Sequence, residues 1–197
     1  MNPLALRTET VEGKPKEKVA MTDERASNAS EQSTDQPASD VRHETFTITR
    51  GFEEDRSRVF ASFADERIRR RWFRIPGSGA TYEHDFRVGG GEEAVSTFVV
   101  PGGLSEELRN RSRYLDIVVD RRIVFVYEAI VNDVTRWASL ATVTFEDAAD
   151  GGSTLFWTEQ VAFLARTGDG SADLPHLRTG TALRLNGIPA ALGSGDR

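Results

Sequence analysis

The sequence contains no cysteine, so disulfides, thiolate nucleophiles and thiolate metal sites are excluded. No apolar run approaches the roughly 20 residues that span a bilayer. The start of the chain lacks the basic segment and apolar stretch of a secretory leader. Positive charge is also scarce: the net charge is −6 and the isoelectric point near 5.2, so the basic footprint of a nucleic-acid binder is missing. These absences lead to the expectation of a cytoplasmic protein with no nucleic-acid or membrane partner. The three histidines, His43, His84 and His176, have no metal-ligand spacing with each other or with an acidic residue. No metal and no cofactor is expected.

One further absence is local. All 11 Phe, 3 Trp and 3 Tyr lie at or beyond Phe46. The preceding stretch is rich in Ser, Thr, Glu, Asp and Gln and cannot bury enough apolar surface to offset chain entropy. Residues 1–41 are therefore expected to be a disordered tail, residues 42–192 the folded domain, and residues 193–197 a disordered end. Met21 is a candidate second start.

What is present in the domain is periodic. Phe46 and Ile48 alternate with polar residues over 43–50, as in a half-buried strand. Asp55 is placed to cap a helix over 56–64 with Val59, Phe60 and Phe63 on one stripe. Asp65 is placed to cap a second over 66–73, with Ile68 and Trp72 four apart. The basic run Arg69-Arg70-Arg71 then suits a helix end. Strands are expected over 81–87, 92–100, 108–119, 121–131, 134–147 and 153–164. Gly89-Gly90-Gly91, Pro101-Gly102-Gly103, Asp120-Arg121, Asn132-Asp133 and Gly151-Gly152 mark the turns between them. Such short connections imply antiparallel pairing. Leu174, Leu177, Thr181 and Leu185 then recur at helical spacing, and Gly187 with Pro189 should stop or kink that helix near Asn186. One long helix must cover one face of a twisted sheet, and a strongly curved sheet leaves a hollow beneath it.

Several segments resemble, in order and spacing, the START-like (SRPBCC) superfamily, in particular the family named for the activator of the heat-shock-protein-90 ATPase. They are Val59–Glu66 followed by Trp72-Phe73, Tyr82–Gly91, Arg113–Val118, Arg122–Glu128, Ser139–Phe145, Thr154–Leu164 and Arg178–Thr181. The resemblance covers roughly residues 43–192. It implies an α+β helix-grip fold: a curved antiparallel sheet wrapped around a long C-terminal helix, with two short helices between the first two strands. The sequence departs from the family at Ala165-Arg166, where Asp-Gly is common, and at Gly187-Ile188-Pro189, where the closing helix usually runs on.

The candidate ligand-contacting residues are Trp72, Tyr82, His84, Arg113, Tyr127, Trp137, Trp157 and Glu159. Tyr82, His84 and Phe86 share one strand face, so His84 is either a ligand hydrogen-bonder at the pocket mouth or a surface or satisfied histidine. Glu159 shares parity with Leu155, Trp157, Val161 and Phe163. On an inward face it is either an acid–base group with raised pKa or the partner of Arg113 or Arg136. Trp137 shares a face with Ser139 and Ala141, whose small side chains leave room. Both faces of the strand over 121–131 are apolar, so parity alone does not say which points inward. Gly89-Gly90-Gly91 lacks the Lys-Ser/Thr and helix of a phosphate loop and reads as a turn. Three functions remain open: a binder of a small hydrophobic or amphipathic molecule, a cyclase- or dehydratase-like enzyme using the same pocket, and an interaction module with a chaperone as partner. No residue pattern suggests a catalytic triad, and no catalytic residue is assigned.

Overall fold

The computed structural model describes residues 41–100, 102–149 and 151–193. The expected tail therefore lies outside the described residues except for Val41, as does the Met21 start. Gly193, expected in a disordered end, instead completes a helix.

The chain runs β1 (Arg42–Phe52), α1 (Arg56–Ala64), α2 (Glu66–Trp72), β2 (Ser78–His84), β3 (Glu92–Val99), β4 (Ser105–Val118), β5 (Arg122–Val131), β6 (Val134–Asp147), β7 (Ser153–Phe163), α3 (Asp173–Leu185) and α4 (Ile188–Gly193). The seven strands form one antiparallel sheet in the order β1-β7-β6-β5-β4-β3-β2. The first strand thus pairs with the last, and Phe46 lies opposite Glu159. Among the described residues no helix is long and apolar enough to cross a membrane.

Local chemistry explains the element ends. The Asp55 side chain accepts from Arg58 N at 2.9 Å and starts α1. Asp65 serves both helices. Its backbone N–H donates to Ala61 O to end α1, while its carboxylate accepts from Arg67 N at 2.8 Å to start α2. The β5–β6 turn places Asn132 and Asp133 at φ 49° and 63°, the left-handed pair of a type I′ hairpin. The pairing shifts register between Tyr114 and Asp116, the mark of a bulge that bends the sheet.

Burial resolves the face of β5. Ile123, Phe125 and Tyr127 point into the core, while Val126 is exposed. They join Phe46, Ile48, Tyr114, Phe145, Leu155, Trp157 and Phe163 on the inner surface, against Val59, Phe60 and Phe63 of α1. Helix α3 covers part of that surface with Leu177, Thr181 and Leu185. The expected break at Gly187 is real, but the chain re-enters helix as α4. Ile188, Ala191 and Leu192 are buried there, and Arg71 Nη1 donates to Ala191 O at 3.1 Å. The closing helix is therefore kinked rather than shortened. A Cβ on Gly187 would lie 3.3 Å from Trp72 Cβ, so the kink fits the chain closely over that tryptophan. β2 begins at Ser78, three positions before the expected 81, because Ser78 pairs with Thr97 instead of staying in the turn.

The triple glycine does more than turn the chain. Gly89 N donates to Tyr114 O at 2.9 Å and Tyr114 N donates to Gly90 O at 2.8 Å, which lays the loop against β4. A Cβ on Gly91 would sit 2.0 Å from Ser112 O, a backbone atom that cannot swing away. Gly91→Ala is expected to destabilise the fold by about 1–3 kcal/mol. Gly180→Ala, within α3 and with open space around the new methyl, is expected to stabilise it by about 1 kcal/mol. Urea unfolding of the two variants checks both signs.

Candidate functional site

Two buried polar clusters lie on the inner face. The first centres on Glu92, at the start of β3. Arg69 Nε and Nη2 donate to its two carboxylate oxygens at 2.7 and 2.9 Å. Arg69 is 2% exposed and Glu92 5%, so this bidentate pair is shielded from water. Aromatic rings surround the guanidinium, with the Trp72 and Phe73 centroids 4.1 and 4.4 Å away. Tyr114 donates its hydroxyl proton to Glu92 Oε1 at 2.7 Å. His84 Nε2, 3.1 Å from the Tyr114 oxygen, must then carry a proton and donate it there. Burial opposes ionisation of Glu92, but Arg69 and the hydrogen bonds prevail and hold its carboxyl below its ordinary value. Burial also pushes the His84 imidazole down, so it is neutral at neutral pH.

The second cluster centres on Glu159, in the middle of β7, whose residue exposure is 0%. Its Oε1 accepts from Tyr127 at 2.5 Å and from Ser139 at 2.7 Å, and its Oε2 accepts from Trp157 Nε1 at 2.8 Å. Burial raises the Glu159 carboxyl above its ordinary value, against the pull of those three donors. Neither Arg113 nor Arg136 pairs with it. Arg136 instead donates to Thr167.

Between the clusters lies an interior space of about 20 Å³ under α3. That is room for one water. Trp72, Phe125 and Trp157 form its apolar wall, and Arg69, Tyr127 and Arg184 give it polar groups. The wide hollow expected beneath the helix is therefore filled in this conformation, chiefly by Trp72 and Trp157. A larger recess, about 870 Å³, lies elsewhere. It is an open groove walled by the glycine turn and by Glu83, Glu93, Arg111, Arg113 and Glu128.

Of the expected site residues, Trp72, Tyr127 and Trp157 line the interior space, and Glu159 stands behind it as the acceptor of Tyr127 and Trp157. Tyr82 and His84 belong to the Glu92 cluster, where their rings lie 6.0 Å apart. Trp137 packs on Phe163 at one end of the inner face. Arg113, exposed on β4 opposite Val126, walls the outer groove and does not pair with Glu159, which corrects the expected ion pair.

Sequence reasoning missed Arg69, Glu92, Tyr114 and Arg184. Arg69 was hidden in a basic run, although its spacing of three and four to Trp72 and Phe73 puts it on the aromatic face of α2. Glu92 shares parity with Ala94 and Ser96, both buried.

The Glu92 carboxyl is lowered in the fold, so its contribution to stability is present above its ordinary value of 4.5 and lost as pH falls through the native value. Arg69→Met strands the carboxylate and is expected to cost about 3–5 kcal/mol at neutral pH. The gap to the wild type should narrow as the medium is acidified, because the variant's Glu92 then takes up a proton. Denaturation across a pH series checks this; a gap that widens in acid would contradict it. For Glu159 the sign is opposite. A raised carboxyl contributes stability below 4.5 that is lost as pH rises through the native value. Trp157 fluorescence is expected to report that titration with a midpoint above 4.5, and Glu159→Gln should abolish it.

The family model described as "Activator of Hsp90 ATPase homolog 1-like protein" matches residues 53–181. Among solved structures, the Mll3558 protein from Rhizobium loti is 39% identical, with 75% of this chain and 99% of that one covered and a TM-score of 0.61. An uncharacterized protein from Rhizobium leguminosarum is 32% identical, with 79% and 97% covered and a TM-score of 0.66. A protein from Arthrobacter aurescens, 21% identical with 80% and 93% covered, shares the fold at a TM-score of 0.59. No curated protein matches. The matched span, the two identities above 30% and the helix-grip architecture place this chain in the Activator of Hsp90 ATPase homolog 1-like family of the START-like superfamily.

Proposed function

We propose that the protein binds a small hydrophobic or amphipathic molecule in the interior space between α3 and the sheet, with α3 as the movable wall. The family and fold are those of ligand-binding or activator-type modules. The observation that carries the reading is the convergence of Arg184, Tyr127, Asn110 and Thr181 on one space bounded by aromatic rings. A core serving stability alone is better filled with apolar groups, because buried charge costs desolvation. An apolar wall with a few polar anchors is the usual make-up of a ligand site.

The space admits a ligand only if α3 moves outward. The seal on that side is thin. Three α3 side chains are buried, and the middle one is Thr181 rather than a large apolar residue. The helix is flanked by Gly168 and Gly170, both at positive φ, and by Gly187 at the kink. The open outer groove is a poorer candidate, since its walls hold solvated charges such as the Arg111–Glu128 pair at 2.6 Å.

Titration with decanol and with decanoate, both below micelle formation, tests the reading. At least one probe is expected to bind one-to-one and to change the fluorescence of Trp72 and Trp157. Thr181→Leu fills the space and should weaken that binding about tenfold or more. If calorimetry and fluorescence stay flat for both probes, the reading fails.

A further inference from the structure

We infer that the interior site selects molecules with a carboxylate headgroup, and that Arg184 is the residue that anchors it, assisted by the free Nη1 of Arg69. This rests on the interior site proposed above and names its ligand class.

Glu92 is satisfied by Arg69 and Tyr114. Glu159 has three donors on its two oxygens. Arg184 differs: among the described residues its guanidinium makes no hydrogen bond and no ion pair. Its contact is the Phe73 ring, with the centroid 5.1 Å from its guanidinium carbon. The Arg69 guanidinium lies over the same ring at 4.4 Å, so two like charges flank one phenyl group. Nη1 of Arg69 is buried and has no partner. Both arginines line the interior space.

Arg184 is half-buried, whereas Arg69 Nη1 is fully enclosed, and two cations on one space make it favourable to an anion. Glu92 already pairs with Arg69, and among the described residues no carboxylate lies within ion-pair distance of Arg184, so an entering carboxylate would meet an uncommitted guanidinium. The planar guanidinium fork matches a carboxylate better than it matches an alcohol or an amine. A hydrocarbon portion attached to that carboxylate would lie against Trp72, Phe125 and Trp157. A cationic headgroup would meet repulsion from both arginines.

The test compares decanoate with decanol on the full-length protein at neutral pH and low salt. Decanoate is expected to bind at least about tenfold tighter, the scale of a charge-assisted hydrogen bond. Arg184→Met should abolish that preference and leave decanol binding unchanged. Arg184→Lys should restore part of it, which separates lost charge from lost packing. Arg113→Gln, on the exposed face, should leave both affinities as they are. Equal binding of the two probes, or a preference that survives Arg184→Met, would overturn the headgroup assignment while leaving the interior site standing. If neither probe binds, the site and the assignment fall together.

Discussion

The buried pair between Arg69 and Glu92 is the constraint on which the arrangement of this molecule turns. It connects α2 to the first residue of β3, two elements that would otherwise meet through side-chain packing alone. Its position is set by backbone on both sides. Asp65 fixes where α2 begins and hence which way Arg69 points. The close approach of Gly90 and Gly91 to β4 fixes where Glu92 emerges, beside Tyr114. A buried ion pair is costly compared with a matched apolar pair. Its presence near the β2 edge of the inner face therefore calls for a role beyond stability, and orientation of the aromatic wall is one it visibly performs. Trp72, Phe73 and Phe63 all pack around the same guanidinium.

The two polar clusters have opposite electrostatic characters. Glu92 is ionised and neutralised by a full charge. Glu159 is held by three neutral donors, and burial pushes it toward its protonated form. Arg184, on α3, lines the space between them, and the C-cap of that helix is tied to β1 by Arg50 Nε, which donates to Asn186 Oδ1 at 2.9 Å.

Much of this was legible in the sequence. The two Asp caps, the alternation of β1 and β7, the shared parity of Glu159 with Leu155, Trp157, Val161 and Phe163, and the hairpin at Asn132-Asp133 all follow from local rules that tertiary contacts reinforced. The interior cavity was misjudged because its size depends on side-chain volume across facing elements, and no periodicity carries that. Arg113 was considered as a partner for Glu159 because parity alone did not say which face of the strand over 121–131, and hence of its neighbour, points inward. Arg69 was overlooked because arginine in a helix's last turn has a sufficient local explanation in the dipole. Only its contact with Glu92, 23 positions away, shows the second one.

The pairing of β1 with β7 has a consequence for how the chain is made. β1 emerges from the ribosome early, yet its sheet partner among the described residues begins at Ser153. The nascent chain must carry an unpaired strand until almost the whole domain has been synthesised, and contacts so distant in sequence close slowly. The outward positions of that strand are His43, Thr45, Thr47 and Thr49, all exposed and polar. They give the waiting strand one hydrophilic side, which discourages edge-to-edge association between neighbouring polypeptides before β7 arrives.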